Sequence, residues 1–76
     1  MNCEKVRTLF NQNGIVHFTT YGLPYIIEKA DNGANIWQDT EPKQMKLYDS
    51  VDSVLKYYTI YNESIEENDD RIRDIY

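Results

Sequence analysis

Residues 25–39 read YIIEKADNGANIWQD and contain the clearest local signal in the chain, the turn Asp31-Asn32-Gly33. Asn-Gly in a short loop is typical of a tight β-hairpin. Apolar, β-branched and aromatic residues flank this turn. The sequence therefore predicts one strand from Tyr25 to Ala30 and a returning strand from Asn35 to Asp39.

The register of this hairpin depends on the length of its loop, and the sequence leaves two alternatives open. A two-residue loop pairs Lys29 with Ile36, whereas a three-residue loop pairs Lys29 with Trp37. A shift of one residue exchanges the two faces of a strand. The two registers therefore predict different buried side chains.

Two further elements are predicted before the hairpin. Val6, Leu9 and Phe10 recur at helical spacing, which predicts a short helix over residues 3–12. Asn13-Gly14 is expected to end this helix, because glycine adopts the left-handed conformation that follows many helices. Residues 15–20 read IVHFTT and predict a strand whose buried face carries Val16 and Phe18. The segment Gly22 to Pro24 is expected to break the strand pattern.

The second half of the chain predicts an edge strand and two helices. Residues 44–48 alternate apolar and polar side chains and predict a fourth strand. Asp49 and Ser50 are suited to cap the helix that follows. The apolar stripe of that helix consists of Val51, Val54, Leu55, Tyr58 and Tyr61.

Residues 64–76 form the last predicted element. Ser64 and Glu67 have the spacing of a capping box, so we expect a terminal helix of about ten residues. Few apolar side chains lie on this helix. The sequence leaves open whether it docks on the domain, frays, or orders only against a partner.

The segregation of helices from strands predicts one α+β domain over residues 1–76, with the helices on one face of a small antiparallel sheet. Cys3 is the only cysteine, so an intramolecular disulfide is impossible and a reducing compartment, the cytoplasm, is expected. No run of about 18 apolar residues is present, and we expect no membrane partner.

Charge is unevenly distributed along the chain. Residues 1–48 carry five basic and five acidic side chains, whereas residues 49–76 carry three basic and eight acidic ones. The whole formal net charge of −5 therefore lies in the last 28 residues. Direct binding of nucleic acid requires a basic surface, and none is visible in the sequence.

The residues that carry most enzyme chemistry are scarce. One cysteine and one histidine cannot supply a zinc site, and the three glycines form no phosphate-binding loop. Asp31, Gly33 and Asn35 resemble the start of a calcium loop, but the glycine is misplaced and no acidic residue closes the loop. Cys3 and His17 are the only conceivable nucleophile and base. We expect a protein that is not an enzyme, with no catalytic residues, metal or cofactor.

The acidic terminal helix is the strongest candidate for a binding surface. Glu66, Asp70 and Asp74 follow one another at intervals of four residues, which on an α-helix forms an acidic stripe with no cation beside it. Glu67–Arg71 and Asp69–Arg73 are expected to form ion pairs at the same spacing. The carboxylates serve either as a solvated face that keeps a small protein soluble or as a ridge that takes the place of phosphates on a basic groove.

Tyrosine is the second unusual feature. Tyr57 and Tyr61, with the acidic cap Asp49 and Asp52, complete the predicted docking surface beside the terminal helix. Tyrosine suits binding surfaces because it offers a large contact area and loses little rotamer entropy. Five tyrosines fall at turns, at strand ends or on the polar side of a helix: Tyr21, Tyr25, Tyr48, Tyr57 and Tyr76. Codon bias and a half-buried sheet explain them equally well.

Residues 47–65 run from a strand through a capped helix to an acidic tail, and in this they resemble small acidic proteins of phages and mobile elements. The resemblance implies stoichiometric inhibition of a host enzyme, for example a CRISPR nuclease. The expected partner is a protein with a basic surface, bound by a monomer or homodimer. The alternative is a structural or assembly module that forms a homo-oligomer through its Tyr/Trp sheet face.

Overall fold

The computed structural model describes residues 1–76 and confirms the predicted α+β class, with two α-helices and a four-stranded antiparallel sheet. The elements are α1 (Asn2–Asn13), β1 (Ile15–Thr20), β2 (Leu23–Ala30), β3 (Gly33–Gln38), a 3₁₀ turn (Pro42–Gln44), β4 (Lys46–Tyr48), α2 (Val51–Tyr57), β5 (Thr59–Ile60), β6 (Glu63–Ser64) and a 3₁₀ helix (Glu66–Arg71). The large sheet has the order β1-β2-β3-β4, and β5 and β6 form a separate small hairpin.

Helix α1 forms where the sequence predicts it and is one residue longer at each end. Val6 and Phe10 are buried, as helical spacing requires for one face. Gly14 ends the helix with φ 74°, and its N–H donates to the carbonyl of Phe10 at 2.8 Å. The left-handed glycine turns the chain directly into β1.

Both helices pack on one face of the sheet. Val16 and Phe18 lie on this face, as predicted, and are almost completely buried. The core comprises Cys3, Val6, Phe10, Val16, Phe18, Tyr25, Ile27, Ala34, Ile36, Val51, Val54, Leu55, Ile60, Ile65 and Ile72. The opposite face of the sheet, which we call the outer face, carries no helix.

The register of the β2–β3 hairpin is neither of the two alternatives weighed from the sequence. Ala30 pairs with Gly33 and Lys29 pairs with Ala34, so the two-residue loop is Asp31-Asn32. Neither loop residue has a positive φ. Gly33 belongs to β3, where an added Cβ would lie 1.9 Å from the carbonyl oxygen of Tyr48. Glycine is therefore required at this position because β4 approaches it too closely for a side chain. The residues of the turn alone do not indicate this contact.

The β1–β2 hairpin contains a primed turn, one with positive φ at its loop residues, that the sequence pattern does not predict. Thr20 pairs with Leu23, and the loop residues Tyr21 and Gly22 have φ of 55° and 72°. Two positive φ values define a type I′ turn, which matches the twist of paired strands. The predicted break from Gly22 to Pro24 was too long. Pro24 is tolerated in β2 because it lies where pairing with β3 ends, and its carbonyl still accepts from the N–H of Asp39 at 2.8 Å.

Helix α2 begins as predicted but is shorter than its apolar stripe. The N–H of Ser53 donates to the hydroxyl of Ser50 at 3.1 Å, which confirms the cap. Tyr58 has an extended backbone and ends the helix. Assigning Tyr61 to the stripe was wrong: it lies in a second primed turn between β5 and β6, with φ 53°, and is 70% exposed. The β5–β6 pairing replaces the last helical turn.

The capping box at the start of the terminal segment is confirmed. The N–H of Ser64 donates to the carboxylate of Glu67 at 2.9 Å, and the N–H of Glu67 donates to the Ser64 hydroxyl at 3.2 Å. A short acidic helix follows, but it is a 3₁₀ helix that kinks at Asn68 and ends at Arg71. The predicted length of about ten residues was wrong.

The chain beyond Arg71 is extended because it pairs with the outer edge of β1. Thr19 and Arg73 exchange two backbone hydrogen bonds of 2.8 Å, and His17 and Tyr76 exchange bonds of 2.7 and 2.9 Å. Asp74, with φ 52°, lies in the bulge between them. We call residues 73–76 the C-terminal seam. The seam covers an edge that would otherwise expose unpaired backbone groups, and Ile72 before it is 2% exposed.

Candidate functional site

The acidic side chains of the second half of the chain are almost free of ion pairs. Arg7 and Asp52 form the only salt bridge, with 2.5 Å between Nε and Oδ1. The predicted pairs Glu67–Arg71 and Asp69–Arg73 do not form, because the 3₁₀ helix and the extended seam destroy the spacing of four residues per turn. Both arginines are held by other groups.

The carboxylates of the terminal segment lack salt-bridge partners because Arg73 and Arg71 contact other groups. The guanidinium of Arg73 donates to the backbone carbonyls of Asp70 and Ile72. The guanidinium of Arg71 lies 4.9 Å from the ring centroid of Tyr21. Carbonyls and an aromatic ring thus hold both guanidinium groups, and neither arginine forms an ion pair with the neighbouring carboxylates.

The three carboxylates predicted as a helical stripe are exposed but do not form one. Glu66 lies in the first turn of the 3₁₀ helix and Asp70 near its end. Asp74 lies in the C-terminal seam, where its carboxylate accepts a hydrogen bond from the Thr19 hydroxyl at 3.2 Å. The three groups follow the course of the terminal segment and not one face of an α-helix.

The remaining residues of the predicted surface are divided between the two ends of the sheet. Asp49 directly follows β4 beside Gly33, at the end that carries the Asp31-Asn32 turn. Tyr61 contacts Tyr21 at the other end. Asp52 lies on α2 and is bound by Arg7, while Tyr57 is exposed at the end of that helix beside the ammonium of Lys56. The seven predicted residues therefore do not meet in a single patch.

Asp69 has a structural role that the sequence pattern does not predict. Its two carboxylate oxygens accept from the N–H of Asn2 at 3.2 Å and the N–H of Cys3 at 2.6 Å. Asp69 thus caps the first turn of α1 from outside the helix. Desolvation opposes ionisation of Asp69, but the hydrogen bonds from Cys3 and Asn2 outweigh it and hold its pKa below the ordinary value.

A second cluster joins the two primed turns, and we call it the aromatic corner. It consists of Tyr21, Tyr61, Glu63, Asn68 and Arg71. The tyrosine rings meet edge to face, with centroids 5.1 Å apart. The Tyr21 hydroxyl donates to Glu63 at 3.1 Å, and partial desolvation and this bond raise the pKa of Tyr21. Both turns lie in short β-branched runs, Thr-Thr-Tyr-Gly-Leu and Thr-Ile-Tyr-Asn-Glu, which is the signal that could have revealed them.

The outer face carries a row of apolar and aromatic side chains. His17 pairs with Ile26, which pairs with Trp37 on the next strand. The ring of Tyr76 stacks on His17 with centroids 4.6 Å apart. Leu47 on β4 is 51% exposed at the far edge. This row is the Tyr/Trp sheet face considered as a site of self-association.

Cys3 and His17 are not brought together. Cys3 is buried among core side chains on the inner side of the sheet, and His17 lies on the outer face against Tyr76. Burial and the neighbouring Asp69 raise the pKa of the Cys3 thiol to about 12. Cys3 therefore stays a thiol at neutral pH, which makes it a poor nucleophile.

No group of three or more histidine, cysteine and acidic side chains is placed to hold a metal ion. None of the helices combines the length and apolar character needed to cross a bilayer. Comparison with protein-family models, with curated proteins and with solved structures finds no match to this chain.

Proposed function

We propose that this chain is a small acidic binding protein that docks its terminal segment on the basic surface of a protein partner. Glu66, Asp70 and Asp74 form the docking surface, together with Tyr61 at the adjoining aromatic corner. The observation that carries the proposal is that none of these carboxylates has a salt-bridge partner, although Arg71 and Arg73 lie in the same segment.

Electrostatics favours a cationic partner. The segment 49–76 holds the entire net charge of −5, and its potential attracts a positive surface during encounter. Basic grooves that bind nucleic acid are built to hold a line of phosphates. Carboxylates along the terminal segment would occupy those positions. A protein with such a groove is therefore the partner class that fits best.

An inhibitor of a nucleic-acid-binding enzyme is the most specific form of this proposal. By occupying the groove, the chain would compete with the nucleic acid for the same basic side chains. A host defence nuclease such as a CRISPR effector is one instance, as the resemblance to small phage proteins implies. Such an inhibitor would act in the cytoplasm of the host cell.

A pair of matched charge-reversal variants tests the proposal. The first changes Glu66, Asp70 and Asp74 to lysine, and the second changes the exposed residues Glu28, Asp39 and Glu41 to lysine. Both alter the net charge equally. We expect the first variant to lose binding to the partner captured from the native host, and the second to retain most of it, because only the first reverses the docking surface.

Titration across salt concentration and competition with nucleic acid complete the test. Affinity is expected to fall as salt rises, because exposed charges are screened beyond about 8 Å at physiological ionic strength. Nucleic acid is expected to displace the chain from its partner. Equal binding by both variants, or affinity indifferent to salt, contradicts the proposal, provided circular dichroism shows that both variants are folded.

A second candidate function is self-assembly through the outer face. Trp37 and the exposed Leu47 favour it, because they extend an apolar row to the open edge of β4. Sedimentation of the purified chain separates the two candidates. A dimer that dissociates when Leu47 is changed to lysine supports assembly, whereas a monomer at high concentration argues against it.

A further inference from the structure

The aromatic corner is built from two tyrosines in a backbone conformation that tyrosine rarely adopts. Tyr21 and Tyr61 have φ of 55° and 53°, in the first loop position of their primed turns. Asparagine and glycine normally occupy such positions. Tyr61 is 70% exposed, so burial in the core does not explain its presence. Strained residues of this kind cluster where a side chain must be presented to a ligand.

The aromatic corner already holds one guanidinium group. Arg71 lies 4.9 Å from the ring centroid of Tyr21, and its Nε donates to the side-chain oxygen of Asn68 at 3.3 Å. The amide nitrogen of Asn68 in turn donates to Glu63 at 3.3 Å. The ring, the amide and the carboxylate together form the kind of environment that an arginine side chain requires.

Tyr61 belongs to the same cluster, but no cationic side chain lies over its ring as Arg71 lies over that of Tyr21. Its ring meets Tyr21 edge to face, and Glu63 follows it two residues later across the turn. Glu63 accepts hydrogen bonds from Tyr21 and Asn68 through Oε1. Its second oxygen, Oε2, receives none of the side-chain hydrogen bonds that fix the corner.

We propose that Tyr61 and Glu63 bind an arginine side chain of the protein partner, with the guanidinium stacked on the Tyr61 ring and hydrogen-bonded to the Glu63 carboxylate. This inference rests on the proposed function and specifies the partner chemistry at one end of the docking surface. Arginine fits better than lysine, because a planar guanidinium can stack and donate at the same time. The negative charge of Asp70, which acts on Tyr21, disfavours an anionic ligand.

Two short peptides of equal length and charge, one with arginine and one with lysine, provide the test. Binding is followed by NMR through the ring signals of Tyr61 and Tyr21 at low salt. The wild-type chain is expected to bind the arginine peptide about fivefold more tightly, because only the guanidinium can stack on the ring and donate to the carboxylate at the same time. The signals of both rings should shift more with the arginine peptide.

The variant Tyr61→Asn removes the ring and keeps the turn, because asparagine adopts a positive φ readily. We expect this variant to bind both peptides equally. Tyr76→Asn is the matched control. Tyr76 is 71% exposed, close to the value for Tyr61, but belongs to the C-terminal seam. The control is expected to keep the fivefold preference for arginine.

Each contrary outcome has a distinct meaning. Equal binding of the two peptides by the wild-type chain overturns the arginine site and leaves the electrostatic proposal intact, because that proposal requires only positive charge. A preference that survives Tyr61→Asn overturns the assignment to the aromatic corner. Failure to bind either peptide overturns it as well, and the charge-reversal experiment with the whole partner then decides the proposed function separately.

Discussion

Asp69 stabilises the first turn of α1 although 66 residues separate it from Cys3 along the chain. Helices leave their first backbone N–H groups without partners, and a nearby side chain usually accepts them. Met1 precedes α1 and supplies no side-chain cap. The carboxylate of Asp69 takes over this role and also interacts favourably with the positive end of the helix.

Replacing Asp69 with asparagine is expected to destabilise the domain by about 1–2 kcal/mol at neutral pH, since the charge and one acceptor are lost. Asp70→Asn is the control and should cost less than about 0.5 kcal/mol, because surface substitutions away from caps and networks have small effects. Urea denaturation of both variants measures the difference. Equal stability of the two variants would show that the cap contributes nothing.

The lowered pKa of Asp69 makes this contribution depend on pH. A carboxyl whose pKa is lower in the folded than in the unfolded state stabilises the fold fully above its unfolded pKa, about 4. The stabilisation is lost as the pH falls through the lower, folded value. The wild type and Asp69→Asn should therefore converge in stability as the pH falls below the folded pKa of Asp69, which urea denaturation across acidic pH measures.

The C-terminal seam is the element that departs most from the sequence prediction. Local rules located the capping box of Ser64 and Glu67 correctly, because both partners lie within one turn. They could not foresee that the edge of β1 is available to residues 73–76. Pairing with that edge outcompetes a helix whose apolar side is thin. The sequence left the docking of residues 64–76 open, and burial of Ile65 and Ile72 shows that the segment docks.

Burial of Ile72 makes the terminal segment part of the core. Ile72→Ala is expected to cost about 2–4 kcal/mol, since it removes buried methyl groups and leaves a cavity. Ile75→Ala is the control, because Ile75 is only half-buried within the seam. Thermal denaturation compares the two. If Ile72→Ala lowers the stability of the domain no more than Ile75→Ala does, the segment docks only weakly.

Other elements were predictable where neighbouring residues determine them, and were missed where contacts between distant parts of the chain determine them. Helix α1, strand β1 and the Ser50 cap of α2 depend on neighbouring residues and were located correctly. The need for glycine at position 33 depends on the Tyr48 carbonyl of β4, which lies outside the hairpin that contains Gly33. The aromatic corner depends on two turns that are 40 residues apart in the sequence. The candidate site was therefore the least predictable part of the molecule.

The whole molecule carries a net charge of −5 with one salt bridge. Unpaired like charges repel one another and destabilise the compact state. Raising the NaCl concentration to about 0.5 M is therefore expected to raise the melting temperature by about 4 °C, which corresponds to somewhat less than 1 kcal/mol for a domain of this size.

The same rise in NaCl concentration is expected to weaken partner binding. Salt should therefore raise the melting temperature and lower the affinity for the partner. The variant with lysine at positions 66, 70 and 74 is the control. Its net charge is close to zero, and its melting temperature should respond less to salt. A melting temperature of the wild type that stays constant or falls with NaCl would contradict the expected repulsion.

The hydrogen bonds that close the fold also determine the order in which it forms. Contacts from α1 to Asp69 span 66 and 67 residues, and those from Thr19 to the C-terminal seam span 54 and 55. Contacts of this separation cost more loop-closure entropy than the pairing of neighbouring strands, and that cost is met before the contacts stabilise the fold. The β1–β2–β3 meander is therefore expected to assemble early, whereas α1 gains its cap and β1 its outer neighbour in a later step. Until that step, the edge of β1 is the part of the chain most open to pairing with another molecule.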